Sequence, residues 1–200
     1  DGATHQCNED IALMRTIPGM TIINPADDVE ARAAVKAAAA YEGPVYLRFG
    51  RLAAPIFNDP ATYTFTLGKG ITLKEGSDVT IVATGLMVSE ALEAAKRLEA
   101  DGISARVLNI HTIKPLDTEL ICRAAQETGL LVTVEEHSII GGLGAAVAEA
   151  VTSCCPVPVV RIGVNDVYGY SGPAVDLLKE FGLCKENIVD TVKEAMAKKH

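Results

Sequence analysis

Two periods of apolar residues alternate along this chain. Val79 to Thr84, Ala105 to Ile110, Leu130 to Glu135 and Val157 to Ile162 are short apolar runs with the length of buried strands. Between the first two, Val88, Ala91, Leu92, Ala95 and Leu98 fall on one helical stripe, and Glu90, Glu93, Lys96, Arg97 and Glu99 mostly lie off it. Asp117 is placed to cap a following helix and Gly129 to end it. A loop over His137–Gly142 is expected, followed by an Ala/Val-rich helix to about Ser153. Two more helices, near 174–181 and 185–198, close the chain.

The first fifty residues repeat the alternation on a smaller scale. A helix is predicted over Glu9–Ile17, a strand over Thr21–Ile23 and a helix over Ala31–Tyr41. The next strand is expected over Val45–Phe49. Asp27-x-x-Glu30 reads as a capping box for the second helix. This is a β-α-β unit, and it predicts a parallel sheet. Residues 51–66 carry Pro55 and Pro60 without a clean period, as a linker would. Gly70–Gly76 suggests an edge strand. The expected fold class is α/β with a parallel sheet, and a boundary is expected near residue 66.

Composition narrows the function classes. Apolar residues make up 48% of the chain but aromatics only 4%, so the core must be aliphatic. The net charge of −8 argues against general nucleic-acid binding. No signal peptide or long apolar run is present, so no membrane partner is expected. The five cysteines include no C-x-x-C pair, and reduced thiols in a cytoplasmic protein are the expectation.

Candidate chemistry concentrates at the start, in Asp1-Gly2-Ala3-Thr4-His5-Gln6. Histidine titrates near neutrality and can exchange protons with a sugar hydroxyl or carbonyl, and an aspartate can orient a neighbouring hydroxyl. Asp1 and His5 are therefore the catalytic and substrate-binding candidates, although a polar loop capping a helix would look the same. A site segment at residue 1 leads us to expect only part of a catalytic machine here. Arg48 ends a predicted strand, where a salt bridge is the ordinary reading. Gly142-Leu-Gly144 lacks the last glycine of a dinucleotide fingerprint, so tight packing is expected of it. His111 and His137 have no partners at metal-ligand spacing and are expected to be structural.

Asp1-Gly-Ala-Thr-His5-Gln6, Glu9-Asp10 through Arg15, and Ile17-Pro-Gly-Met20 together resemble the transketolase pattern D-G-x-T-H-Q…E-D-x-A…R…P-x-M. The resemblance continues through Gly43–Arg48, Val107–Asp117, Glu135-Glu136-His137, Gly141–Gly144 and Phe181-Gly-Leu183, in order and over nearly the whole chain. It implies a partial pyrimidine-binding α/β unit over 1–50, a linker over 51–66, and a three-layer α/β/α transketolase C-terminal domain with a mostly parallel sheet over 67–200, as in the C-terminal subunit of a split enzyme. The implied reaction is transfer of a two-carbon ketol unit between sugar phosphates, in the pentose phosphate pathway, with thiamine diphosphate and a divalent metal in the complete enzyme. Asp1 and His5 would contact substrate oxygens and Arg48 the sugar phosphate, which a guanidinium fork suits.

The activating glutamate and the metal and diphosphate ligands of the family fall outside the matched segments. The isolated chain is therefore expected to bind no cofactor and to be inactive without an N-terminal subunit or region. The assembly expected is a dimer or other homo-oligomer, or a heterotetramer. Tyr168–Pro173 resembles the family F-G-E-S loop, with Tyr170 in place of the acid. A noncatalytic dimerisation or regulatory domain is the alternative from another class. A deoxyxylulose-phosphate synthase-like enzyme is the near rival, distinguished by His where this chain has Gln6. With its sheet truncated, residues 1–60 are expected to be loosely ordered or to dock on another chain.

Overall fold

The computed structural model describes residues 2–198. A 3-10 turn at Gly2–Thr4 leads to α1 (Asp10–Thr16), β1 (Thr21–Ile23), α2 (Asp28–Ala40) and β2 (Val45–Leu47). Strands β1 and β2 pair in parallel, with Thr21 opposite Val45. The capping box forms as its residues dictate: Asp27 accepts from the Glu30 N–H at 2.9 Å, and Glu30 reaches back to the Ala26 N–H at 2.7 Å. The same acids tie down the proline-rich segment. Asp27 also accepts from the N–H groups of Phe57 and Asn58, and Glu30 accepts from Tyr63 Oη and Asn109 Nδ2.

The larger unit runs β3 (Ile71–Lys74), β4 (Val79–Ala83), α3 (Met87–Ala100), β5 (Ala105–Asn109), β6 (Thr112–Lys114), α4 (Thr118–Thr128) and β7 (Leu131–Ser138). It continues with α5 (Leu143–Cys154), β8 (Val159–Val164), α6 (Ala174–Glu180) and α7 (Lys185–Lys198). The five-stranded sheet has the order β3-β5-β4-β7-β8, parallel except for the edge strand β3. Alternate side chains of β4 serve opposite cores. Val79, Ile81 and Ala83 pack among residues of α3 and α7, whereas Val82 joins Ile121, Ala125, Val147 and Val151 of α4 and α5. This is a three-layer α/β/α arrangement.

The two units are not separate. Strand β6 crosses to the smaller sheet and pairs antiparallel with β1, giving the order β2-β1-β6. Ile11 and Ile22 are fully buried in the same core as Leu108, Ile110 and Leu143. The docking expected on another chain is thus provided in part by the chain's own second unit. A three-residue strand after a tight turn carries too little period to stand out in the sequence.

The expectation of reduced thiols needs correction. Cys122 and Cys154 form a disulfide, because α4 and α5 lie side by side and bring their Cα atoms to 6.1 Å. Cys7, Cys155 and Cys184 are free. A spacing of 32 residues gave no hint of the bond.

Candidate functional site

In a parallel α/β sheet the natural crevice lies beyond the carboxyl ends of two strands whose connections leave in opposite directions. Here those strands are β4 and β7: the chain leaves β4 for β5 on one side and returns to β7 on the other. Beyond their ends lies a cavity of about 700 Å³. Leu86, just past β4, and Glu136, in β7, line it, and the hexapeptide segment and the end of β2 supply much of the rest.

His5, Gln6, Arg48 and Arg51 all line this cavity. Pro173, Ala174 and Leu177 give the cavity an apolar side. Gly2 anchors the hexapeptide: its carbonyl accepts from the N–H groups of both His5 and Gln6 at 2.9 Å. The Ala3 N–H donates to Tyr170 O at 2.8 Å, so the segment leans on the 168–173 loop. Gly2 has φ +73°, and a Cβ there would collide with Tyr170 O, so only glycine fits. His5 is exposed to the cavity, with Nδ1 2.9 Å from Thr4 Oγ1. Asp1 lies outside the described residues.

Arg48 proves to be an internal anchor as well as a cavity residue. Its Nε donates to Asp10 at 2.8 Å, and its Nη2 donates to the carbonyls of Cys7 and Glu136 at 2.8 and 2.9 Å. Only 12% of its side chain and 5% of that of Asp10 are exposed, so the charges are closely paired within the protein. Tyr46, two residues earlier on the same face of the strand, donates to the same Asp10 oxygen. Burial raises the Asp10 carboxyl, but the Arg48 hydrogen bond and charge, with help from Tyr46 and His137, hold it net below its usual value. Burial and then the Asp10 contact push the Tyr46 phenol up to about 12. Burial and the neighbouring acids raise the Cys7 thiol, which keeps it protonated and poorly nucleophilic.

Behind Asp10 lie groups that the sequence reading assigned only to structure. His137 is fully buried, and its Nε2 accepts the Ala12 N–H at 3.3 Å. Its Nδ1 lies 2.7 Å from Ser138 O, which fixes the neutral Nδ1–H tautomer. Burial lowers its pKa. Glu135 accepts from Leu143 N and Gly144 N at the start of α5, and burial outweighs those bonds to push its carboxyl up to about 7. His111 is also fully buried, its ring tilted against that of Phe65 with centroids 4.3 Å apart, and burial pushes it down to about 4. Among the described residues, no group of three or more His, Cys, Asp or Glu side chains is placed to hold a metal ion.

Family models for the transketolase pyrimidine-binding domain and C-terminal domain match residues 1–56 and 68–188. The chain belongs to the transketolase family. A 6-deoxy-6-sulfo-D-fructose transketolase subunit from Clostridium sp. (strain MSTE9) is 48% identical over 200 residues, covering 100% of this chain and 62% of that protein. An apulose-4-phosphate transketolase subunit from Phocaeicola vulgatus is 45% identical, covering 98% of this chain and 63% of that protein. Among solved structures, a split-gene transketolase described as an inactive β4 tetramer superposes with a TM-score of 0.92 at 50% identity. That match covers 99% of this chain and 64% of the solved one. The chain therefore spans somewhat under two thirds of the length of these transketolase relatives.

The transketolase pattern located the hexapeptide and Arg48, and the structure brings His5 and Arg48 to one cavity. It did not show that Arg48 is held by Asp10. One signal was available: Tyr46 and Arg48 are two apart on a strand, so they face the same side, and a buried carboxylate on the neighbouring helix would satisfy both.

Proposed function

We propose that this chain is the C-terminal part of a thiamine-diphosphate-dependent transketolase that moves a two-carbon ketol unit between sugar phosphates. The observation that carries the reading is the cavity at the β4/β7 switch point, lined by His5 and two arginines. On this reading Asp1 and His5 hold substrate hydroxyl and carbonyl oxygens, and His5 exchanges a proton with them as they react. Arg48, fixed by Asp10, sets the end of β2 and the charge beside it. Its Nε and Nη2 are engaged internally, and Arg51 lines the same cavity, so the two guanidinium groups together supply the positive end for the terminal phosphate. The names of the two curated relatives point the same way. One specifies a sulfonated sugar and the other a phosphorylated one, and both groups are terminal oxyanions.

Thiamine diphosphate supplies a carbon nucleophile when bound in the complete enzyme. Among the described residues no cluster of His, Cys, Asp or Glu is placed to hold its metal ion, and no step through the cofactor is assigned to this chain. The partner is an N-terminal transketolase subunit or the corresponding region of a longer chain, in a homo-oligomeric or heterotetrameric cytoplasmic enzyme of the pentose phosphate pathway. The solved relative described as an inactive β4 tetramer supports both self-association and inactivity of such a chain alone. No helix among the described residues is long and apolar enough to cross a membrane.

Reconstitution tests the reading. The purified chain is expected to give no ketol transfer from a ketose phosphate, and to support transfer when mixed with an N-terminal transketolase subunit. Turnover by the chain alone would contradict the division of labour. Failure with every N-terminal partner, while the mixed complex forms, would favour a noncatalytic assembly domain.

A further inference from the structure

Four consecutive residues of β7 each make a different contact around the candidate site. Glu135 accepts the N–H groups of Leu143 and Gly144 at 2.6 and 2.8 Å. The Glu136 carbonyl accepts from Arg48. The His137 ring accepts the Ala12 N–H of α1. The Ser138 N–H donates to the Asn8 carbonyl at 2.8 Å, just beyond the hexapeptide. We propose that Glu135–Ser138 is a mounting rail for the substrate wall, with Glu135 and His137 as positioning residues that hold α1, Asp10 and through it Arg48 at the cavity.

The rail has two arms. In the first, His137 acts directly on α1. It occupies the Ala12 N–H, one of the first-turn donors that a helix cannot satisfy internally. Its Nε2 also lies 3.9 Å from Asp10 Oδ1, which has no hydrogen-bond partner among the described residues. The imidazole therefore bounds the pocket in which the Asp10 carboxylate sits, while Tyr46 and Arg48 hold the other oxygen.

In the second arm, Glu135 acts through the glycine loop. By fixing the first turn of α5 it fixes the carbonyls of Gly141 and Gly142, which accept from Arg15 of α1 at 2.7 and 3.3 Å. Both glycines are needed for this approach. A Cβ on Gly142 would collide with Glu135 Oε2, and one on Gly141 would stand 2.6 Å from Ala12 Cβ. At the other end of α1, Lys114 Nζ donates to the carbonyls of Arg15 and Ile17. The helix following the hexapeptide is thus held at both ends by the C-terminal domain, and this gives that domain a task in the site.

The catalytic half of the proposal rests on the transketolase reading above; the mechanical half does not. The test uses amide hydrogen exchange and imidazole ¹⁵N shifts on the full chain. His137→Phe keeps the ring shape but removes the acceptor, and His137→Gln restores one. In wild type the imidazole shifts should report the Nδ1–H tautomer. In His137→Phe the amides of residues 10–16 should exchange at least about tenfold faster, with β4 and β5 unchanged, and His137→Gln should recover most of the protection. Glu135→Gln should loosen residues 10–16 together with 141–144.

In the reconstituted enzyme, His137→Phe should raise KM for the sugar phosphate about tenfold with kcat within twofold, and His137→Gln should reverse it. Unchanged exchange in residues 10–16, or an equal rise in β4 and β5, would overturn the rail. Loosening of α1 with an unchanged KM would leave the mechanical half and overturn its role in the site. A complex with no ketol transfer even as wild type would instead sink the transketolase reading, and the exchange data would still decide the rail.

Discussion

Arg48 and Glu135 illustrate what burial does to a charge in this chain. Arg48 keeps its charge because Asp10 and two carbonyls surround it. Glu135 lacks a guanidinium in contact and is 1% exposed, so its proton is held up to about pH 7. The folded carboxyl is thus raised above its usual 4.5, the value at which the unfolded chain releases the proton. Between these values the native state binds more protons than the unfolded state, so stability must fall as pH rises through that range. The groups that face or influence Glu135 are His137, Arg15 and Arg48. His111 and His137, with lowered pKa values, bias stability in the opposite sense but are common to wild type and variant. Denaturant titrations of wild type and Glu135→Gln should show the wild type losing about 1–3 kcal/mol relative to the variant between pH 4.5 and 7, then levelling. A difference that stays constant, or grows in the wild type's favour, would mean that Glu135 is ionised throughout.

At the scale of elements, α4 and α5 are joined covalently by Cys122–Cys154, which closes a loop of 32 residues. Chain-entropy arguments give such a loop about 3.7 kcal/mol of stabilisation. Thermal unfolding in dithiothreitol, or of Cys122→Ser with Cys154→Ser, should show a Tm lower by several degrees, and an unchanged Tm would mean that the bond contributes little. The pair also marks where sequence reading stops. Helix caps, strand runs and the β1-α2-β2 unit were legible because their causes are local: Asp27 and Glu30 lie three apart, and Gly129 takes the left-handed turn at φ 64°. The disulfide, the pairing of β6 with β1 and the Arg48–Asp10 contact depend on residues far apart in sequence meeting in space, as Ile22 meets Lys114, and no local period encodes that. The family pattern supplied the candidate site's location, but that Arg48 is anchored to Asp10 behind the cavity depends on packing.

Across the whole molecule, the smaller unit is set onto the crevice of the larger sheet, and the cavity lies between them. On the proposed function this cavity is the substrate wall of a transketolase, with its oxyanion end at Arg48 and Arg51. KM in the reconstituted complex for a phosphorylated acceptor and for its unphosphorylated analogue, in wild type and Arg51→Met, tests it directly. We predict that Arg51→Met raises KM for the phosphorylated acceptor by about 10- to 100-fold, as expected for losing a charge-assisted contact worth about 1.5–3 kcal/mol, and leaves the analogue within twofold. Equal KM values for wild type and variant with the phosphorylated acceptor would contradict this assignment.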